Sequence, residues 1–503
     1  MATTKNRILH DKFSGGVNIF YPTHMLPQDS VLQLQNMRLT PIPSGIATTA
    51  STPLFFCSPP AKAAAIVPES GHRVFMKDGE IYNDASEKVY YTQKLTGTID
   101  STPVGKTVQV VSKGGVVTFD GTKVVNVVGS PSGEIICFWF GHTFIGRADG
   151  VVNLLRWSRN DNWVISPTNS AGYFKFDEWA SQDVDAKGIT GLYKFGSLLW
   201  VFMPTAIIPI RWVGAPTYIN IVDDAIIYGT GSAFVKTSVF YHGKVYFYDC
   251  YNQSFFTFDG SRVTEIGQPI RRYLLCKGTK PFSCVAKDDE VIWSFDNIAF
   301  IYNERFNAWS TATINSAITG VDVGGKSSLT LNKLVDYIED VHYSFEYYKT
   351  NGKTYTKRLI AANGTASADI PLLTNPPPTY IIETGDYHYG TLSTVKECDE
   401  ITVNATGSVD VWICGRMDFN KPLRYVKRGT VTAFGQILHF KPVVGKIFRY
   451  KLCSSTAFNL YGFEVGLSIA NTERYVHSTQ ETDGVDFLET GDTYVTQTAE
   501  WFA

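Results

Sequence analysis

Val235-Lys-Thr-Ser-Val-Phe-Tyr241, His242-Gly243, Lys244-Val-Tyr-Phe-Tyr-Asp249, Asn252-Gln253, Ser254-Phe-Phe-Thr-Phe258, Asp259-Gly260 and Arg262-Val-Thr-Glu-Ile266 form the stretch that decides the fold class. Short runs rich in β-branched and aromatic residues alternate here with tight-turn pairs. Such runs favour strands, His242-Gly243 closes the first of them with a turn, and Asp-Gly between β-formers favours hairpins, because a type I′ turn needs positive φ at both central positions. Four strands joined by tight turns make an up-and-down meander, the shape of one β-propeller blade.

The unit recurs outward from this stretch. Val116-Val-Thr-Phe-Asp120-Gly121-Thr-Lys-Val124 aligns with Phe255-Phe-Thr-Phe-Asp259-Gly260-Ser-Arg-Val263. Arg73-Val-Phe-Met, Asp78-Gly79 and Glu80-Ile-Tyr82 form another hairpin, and Gly141–Gly146, Phe195–Phe202 and Asp288–Phe295 supply more. Trp157–Trp163 echoes Tyr302–Trp309. Turn centres at Gly196, Gly243 and Asp289 lie 47 and 46 residues apart, a propeller-like period. The expected fold is therefore all-β, with a propeller of five to seven blades. A large β-sandwich is the competing arrangement.

Texture divides the 503 residues into three parts. Residues 1–60 carry Gly15-Gly16 and seven prolines between Pro22 and Pro60, and read as an extended N-terminal arm. Residues 61–340 hold the repeats, and 341–503 read as a β-sandwich-like domain with a polar tail, entered through Asn375-Pro-Pro-Pro378. Two short helices are expected, at Val31–Met37 after Asp29-Ser30 and at Leu334–Val341 after Asn332.

Net charge is −2, from 45 basic and 47 acidic residues spread along the chain. Tight binding of nucleic acid needs clustered Lys and Arg, so a basic DNA-gripping face is not expected, although a surface along which DNA slides is compatible. Charged residues make up 18%, below the usual ~25%, while Phe, Tyr and Trp number 32, 27 and 10. That balance suits a subunit covered by neighbours as well as a monomer with many half-buried strands. The eight cysteines include no C-x-x-C pair, so neither a zinc ribbon nor a redox dithiol is expected, and a reducing cytosol suits them. The start lacks a signal-peptide run, and no apolar stretch of about 18 residues predicts membrane insertion.

Chemistry-bearing patterns are few. Gly320-Val-Asp-Val-Gly-Gly325-Lys326-Ser327 fits the phosphate-loop pattern, but lacks the surrounding alternation of strands and helices, and reads as a Gly-rich loop. Asp177-Glu178 with Asp183 and Asp185 is the nearest approach to a glycosidase carboxylate pair, and reads as a solvated loop. His142 and His242 sit at expected hairpin turns. Lys421, Arg424, Lys427 and Arg428 form the one basic stretch, a solvated strand face or a contact for DNA or an acidic partner. No catalytic residue, metal or cofactor is expected.

Lys12-Phe-Ser-Gly15-Gly16-Val-Asn18, Leu26-Pro27 and Leu34-Gln-Asn36-Met-Arg38 together resemble the N-terminus of propeller-bearing tail hub or nozzle proteins of short-tailed bacteriophages. Gly229–Ser238, Phe258–Gly267, Ile382-Glu-Thr-Gly-Asp386 and Gly445-Lys-Ile-Phe-Arg-Tyr-Lys451 look like that family too. Ser44-Gly45 stands where the family usually shows R-x-G. The resemblance implies a non-enzymatic virion tail protein, assembled in the host cytoplasm. Its subunits form a homo-oligomeric ring, a hexamer, that continues the DNA channel below portal and adaptor proteins. The ring anchors tail fibres or spikes and passes genomic DNA without specific binding. Phe13, Gly15, Gly16, Leu26, Asn36 and Arg38 then become candidate subunit or adaptor contacts. Lys421, Arg424, Lys427 and Arg428 become candidate channel or partner contacts. The alternative expectation is a carbohydrate-binding or glycan-cleaving propeller associated with a phage tail.

Overall fold

In the computed structural model, meanders of short strands form wherever β-rich runs are separated by residues able to turn sharply. The structure describes residues 6–40, 46–48 and 53–56, then 63–325 with short interruptions, then 355–361, 370–371 and, apart from 391, 420 and 457, 380–469. The second expected helix, the Asn375-Pro-Pro-Pro378 connector, Lys326, Ser327, Glu178, Asp183 and Asp185 lie outside the described residues. Within them the chain is nearly all β, and its one α-helix is Arg271–Lys277.

Six four-stranded antiparallel meanders follow one another as propeller blades. Their innermost strands are Ala63–Ile66, Asp100–Val104, Ile135–Trp139, Gly191–Phe195, Ser238–Tyr241 and Ser283–Lys287. A seventh sheet, ordered Ile318–Gly325, Tyr355–Ala361, Pro53–Phe56 and Ile370–Pro371, lies between the sixth blade and the first. The ring therefore closes with a strand that the arm supplies, and this blade draws on residues beyond both ends of 61–340. Closure in this way leaves no open gap between first and last blades.

The turn chemistry separates into two kinds. Phe140-Gly141 and His242-Gly243 have positive φ at both positions, the type I′ geometry. Asp120-Gly121 and Asp259-Gly260 do not adopt it. Only the glycines have positive φ, and the aspartates cap the turns instead. Asp120 Oδ1 accepts from the Thr122 and Lys123 amides at 2.8 Å, and Asp259 Oδ1 from those of Ser261 and Arg262 at 2.9 Å. These amide bonds, with the neighbouring hydroxyls, hold both carboxyls down at about 2.

Among the described side chains, apolar groups fill the gaps from the first blade to the sixth, as Trp200, Phe202, Phe247 and Phe258 do between the fourth and fifth. Polar bonds stitch the same gaps: Gln109 Oε1 accepts from Thr143 at 2.6 Å, Tyr193 meets Ser238 at 2.8 Å, and Trp293 Nε1 donates to the Thr237 carbonyl at 3.2 Å.

The C-terminal part is a two-sheet sandwich. One sheet runs Tyr380–Thr384, Ile447–Ser454, Val409–Arg416 and Val426–Val431. The other runs Gln436–Gly445, Lys396–Thr406 and Asn459–Ile469. The arm completes both. Asn6–His10 and Ile46–Thr48 pair with Asn459–Ile469, while Ser30–Gln35 pairs with Tyr380–Thr384. Gly16–Val17 lies parallel between Ser30–Gln35 and the outer strand of blade six, Ala308–Thr313, so one sheet of ten strands runs from propeller into sandwich.

The expected helix at Val31–Met37 is thus a strand. Leu32-Gln-Leu-Gln35 alternates with a period of two, placing Leu32 and Leu34 inward, and pairing with residues some 350 positions away overrides the local capping signal. Gly320–Gly325 is likewise strand, paired with Tyr355–Ile360, rather than a loop.

Candidate functional site

The motif residues of the arm meet at the seam between propeller and sandwich. Phe13 is 2% exposed and packs near Phe463 in a core shared by blades five and six and both sandwich sheets. Gly15 is required sterically, since a Cβ there would stand 2.3 Å from Ser30 Oγ. Gly16 combines φ of +59° with a would-be Cβ 2.5 Å from the Trp309 carbonyl oxygen. Leu26 packs against the same core and over Gly385. Asn36, buried at φ 60°, ends its strand and donates its amide to the Thr311 carbonyl at 2.7 Å. Arg38 opens the strand Arg38–Thr40, and its side chain lies outside the described ones. Phe13, Gly15, Gly16 and Asn36 are therefore spent on contacts within their own chain and offer little surface to an adaptor or neighbouring subunit.

The same seam holds a buried charge cluster that the sequence reading passed over, although Glu383, Asp386 and Arg449 stand in Ile382–Asp386 and Gly445–Lys451. Arg449 grips Asp386 with two prongs, Nε at 2.9 Å and Nη2 at 3.0 Å. Arg416 adds a bond at 2.7 Å, and Thr23 of the arm donates its hydroxyl to the same carboxylate. Glu383 accepts from Arg449 at 3.3 Å and from Tyr425 at 2.8 Å. Burial opposes the Asp386 charge, but Arg449 and then Arg416 outweigh it and hold the carboxyl below its ordinary value. Two carboxylates face two guanidiniums, and Lys451, 1% exposed, stands opposite Glu383 in the strand register with its Nζ 6.0 Å from the Tyr425 ring. Close i-to-j spacing in sequence is the usual clue to such a cluster. Here the partners come from three strands, the segments beside them at Asp386 and Tyr425, and the arm.

At the propeller axis, Lys236 sits at positive φ just before the inner strand of blade five. Its Nζ donates to the carbonyl of Ile99, immediately before the inner strand of blade two, and faces Asp100. Blades three and four lie between these positions on one side of the ring and blades six, seven and one on the other, so the side chain spans the middle of the ring. Asp100 also accepts the Ile136 amide at 3.0 Å, while burial, partly offset by Lys236, raises its carboxyl.

The basic stretch lies at one edge of the sandwich. Lys421, Arg424 and Lys427 are exposed, whereas Arg428 is half-buried over the Phe440 ring, 5.7 Å from its centroid. Lys427 pairs with Asp410 at 2.7 Å. His142 is buried against the Trp212 ring, 4.0 Å between centroids, and His242 bonds Glu304 of the next blade at 2.8 Å, so both have packing roles. Asp177 is exposed and bonded to Lys175 and Asn153. Among the described residues no group of three His, Cys, Asp or Glu is placed to hold a metal ion, and no helix is long and apolar enough to cross a membrane.

No family model and no curated protein matches the chain. Among solved structures, the Neurospora crassa Pan2 WD40 domain overlaps 60% of this chain and 91% of its own at 9% identity, with a TM-score of 0.34. PorZ of the Porphyromonas gingivalis type-IX secretion system overlaps 70% of this chain at 9% identity and a TM-score of 0.33. The extracellular domain of a putative hybrid two component system from B. thetaiotaomicron overlaps 50% at 10% identity and a TM-score of 0.34. The chain spans 44% and 33% of the lengths of the last two. At these scores the likenesses transfer no property, and the class of the protein rests on its own strand order: an all-β propeller joined to a sandwich by an N-terminal arm.

Proposed function

We propose that this chain is a structural virion protein, the tail hub or nozzle subunit of a short-tailed bacteriophage. Copies form a ring that continues the DNA channel below the portal and adaptor and anchors fibres or spikes. The observation that carries the reading is convergence. Lys12–Asn18, Leu34–Arg38, Ile382–Asp386 and Gly445–Lys451 resemble that family only through short motifs far apart in sequence, yet their described residues meet at one seam. Motifs matched by chance have no reason to be neighbours.

The axis bears on how such a ring would work. Lys236 of blade five reaches the Ile99 carbonyl of blade two across the middle of the ring, which favours a DNA path between copies over one through a propeller. A near-neutral chain suits such a path, since few phosphate contacts would retard transit.

Negative-stain images and sedimentation of the purified full chain, alone and with its portal complex, test the reading. Closed rings with a central opening are expected. A monodisperse monomer that never rings and cleaves a surface glycan would overturn it.

A further inference from the structure

Phe13, Gly16 and Asn36 of the arm are buried in the seam, but the arm turn between them is not. Phe20 and Tyr21 are 40% and 41% exposed, with their rings edge to face at 5.3 Å, and Met25 is 61% exposed. The Met25 amide closes the turn on the Pro22 carbonyl at 2.9 Å. A second turn stands at the Arg416 end of the sandwich. There Met417 is 47% exposed, and the Lys421 amide donates to the Asp418 carbonyl at 3.3 Å. The His24 ring lies 4.8 Å from that of Phe419 and joins the two turns. Lys421 and Arg424 are exposed at this end, without carboxylate partners among the described residues. The Arg424 backbone meets the Cys414 thiol, two residues before Arg416 in the strand Val409–Arg416. Phe20–Met25 and Met417–Arg424 together hold one acid, Asp418, against Lys421, Arg424 and His24.

Apolar side chains are exposed on the propeller too; what sets this surface apart is how it is held. Arg416 donates through Nη1 to the carbonyls of Phe419 at 3.1 Å and Lys421 at 3.3 Å, and through Nη2 to Asp386 at 2.7 Å. Asp386 accepts the Thr23 hydroxyl, and its amide donates to the Thr23 carbonyl at 2.9 Å. One buried ion pair therefore fixes both turns from beneath. Such a pair is weak as a source of stability, and its better-attested use is to specify one geometry. Protein interfaces concentrate Tyr, Phe, Met and Arg, and turns held rigid before contact lose less entropy on binding. A lipid surface is fluid and needs no fixed shape. Nucleic acid calls for clustered cations, and here two stand among four exposed apolar groups. Fixed shape, apolar anchors and flanking cations select a protein partner whose face is acidic.

We propose that this surface docks an acidic, apolar-anchored face of a partner protein, and that in the tail this partner is the portal and adaptor complex. The inference rests on the tail reading and assigns the surface by which the ring is held beneath that complex. Tyr21 and Met25 supply the apolar anchors, while Lys421 and Arg424 steer and align the acidic face.

Binding kinetics of the purified portal complex on the full chain, measured over a range of salt, test the assignment. Wild-type rings are expected to bind, and more weakly as salt rises. Tyr21→Ser with Met25→Ser should keep that salt dependence and weaken binding about tenfold or more, mainly through faster dissociation. Lys421→Glu with Arg424→Glu should slow association and flatten the salt dependence. All four positions are exposed, so unchanged melting is the control for folding, and both variants should still form rings. Wild-type rings that ignore the complex, or variants that bind it as the wild type does, overturn the docking surface and leave the ring reading intact. Loss of rings in either variant marks a contact between copies instead, and overturns it. Wild-type binding to phosphatidylglycerol vesicles or duplex DNA that both variants lose marks a membrane or DNA surface, and overturns it as well. A wild-type chain that neither rings nor binds the portal complex overturns both readings.

Discussion

At the scale of single residues, His10 is the most informative side chain. Its ring lies against Tyr387 and Phe463, and its Nε2 meets the Tyr389 hydroxyl at 3.0 Å, which in turn donates to Tyr450. Burial pushes the imidazole down from 6.5 to about 4, with Asp11 pulling weakly the other way. A histidine whose folded pKa is depressed contributes stability that is complete above 6.5 and lost as pH falls towards 4, because the unfolded chain binds a proton the folded one refuses. Up to about 3 kcal/mol follows from the shift at 1.36 kcal/mol per unit. Urea midpoints measured at pH 7 and pH 4.5 should differ strongly in the wild type and less in His10→Gln. Equal pH slopes in the two proteins would remove His10 from the account. The histidine itself is visible in the sequence, but nothing near it announces three tyrosines from beyond residue 380.

At the scale of elements, each blade is cheap to form locally and marginal alone; a lone meander gains its stability by packing against its neighbours. Trp309 shows how neighbours are held. On the outer strand of blade six, its ring lies 4.9 Å from that of Phe255 in blade five and 5.7 Å from Trp293, and its Nε1 donates to the Ile266 carbonyl at 2.8 Å. Its backbone also meets Gly16 of the arm. Trp309→Ala should cost about 3–5 kcal/mol, read as a lower denaturation midpoint, since a buried aromatic leaves a cavity and an unpaired carbonyl behind. A loss below 1 kcal/mol, on the order of an exposed substitution, would mean that the seam does not depend on it. The meanders at 116–124 and 231–267 were legible because period-two alternation and turn pairs are local signals. Ser30–Gln35 was misread because six residues fit a short helix or a strand equally well until a partner strand is known.

At the scale of the whole molecule, the arm is structural cement. It pairs with both sandwich sheets, wedges Gly16–Val17 against blade six and supplies Pro53–Phe56 to the closing blade. Deleting residues 1–60 should therefore not yield a shortened but folded protein. It removes a strand from the ring closure and opens the core at Phe13, Leu34 and Met37, all at or below 2% exposure. Loss of the cooperative unfolding transition, or aggregation on expression, is the expected outcome; an intact transition at unchanged temperature would show the arm to be dispensable.

The sequence by itself determined the all-β class, the repeated blades and the sandwich-like end, because strand alternation and turn residues act over a few positions. Tertiary structure alone decided the blade closure, the Asp386–Arg449 cluster, the Lys236 crossing and the arm's place within its own chain. Each of these joins groups that are distant in sequence, and their energies come from burial and pairing that exist only once the strands have met.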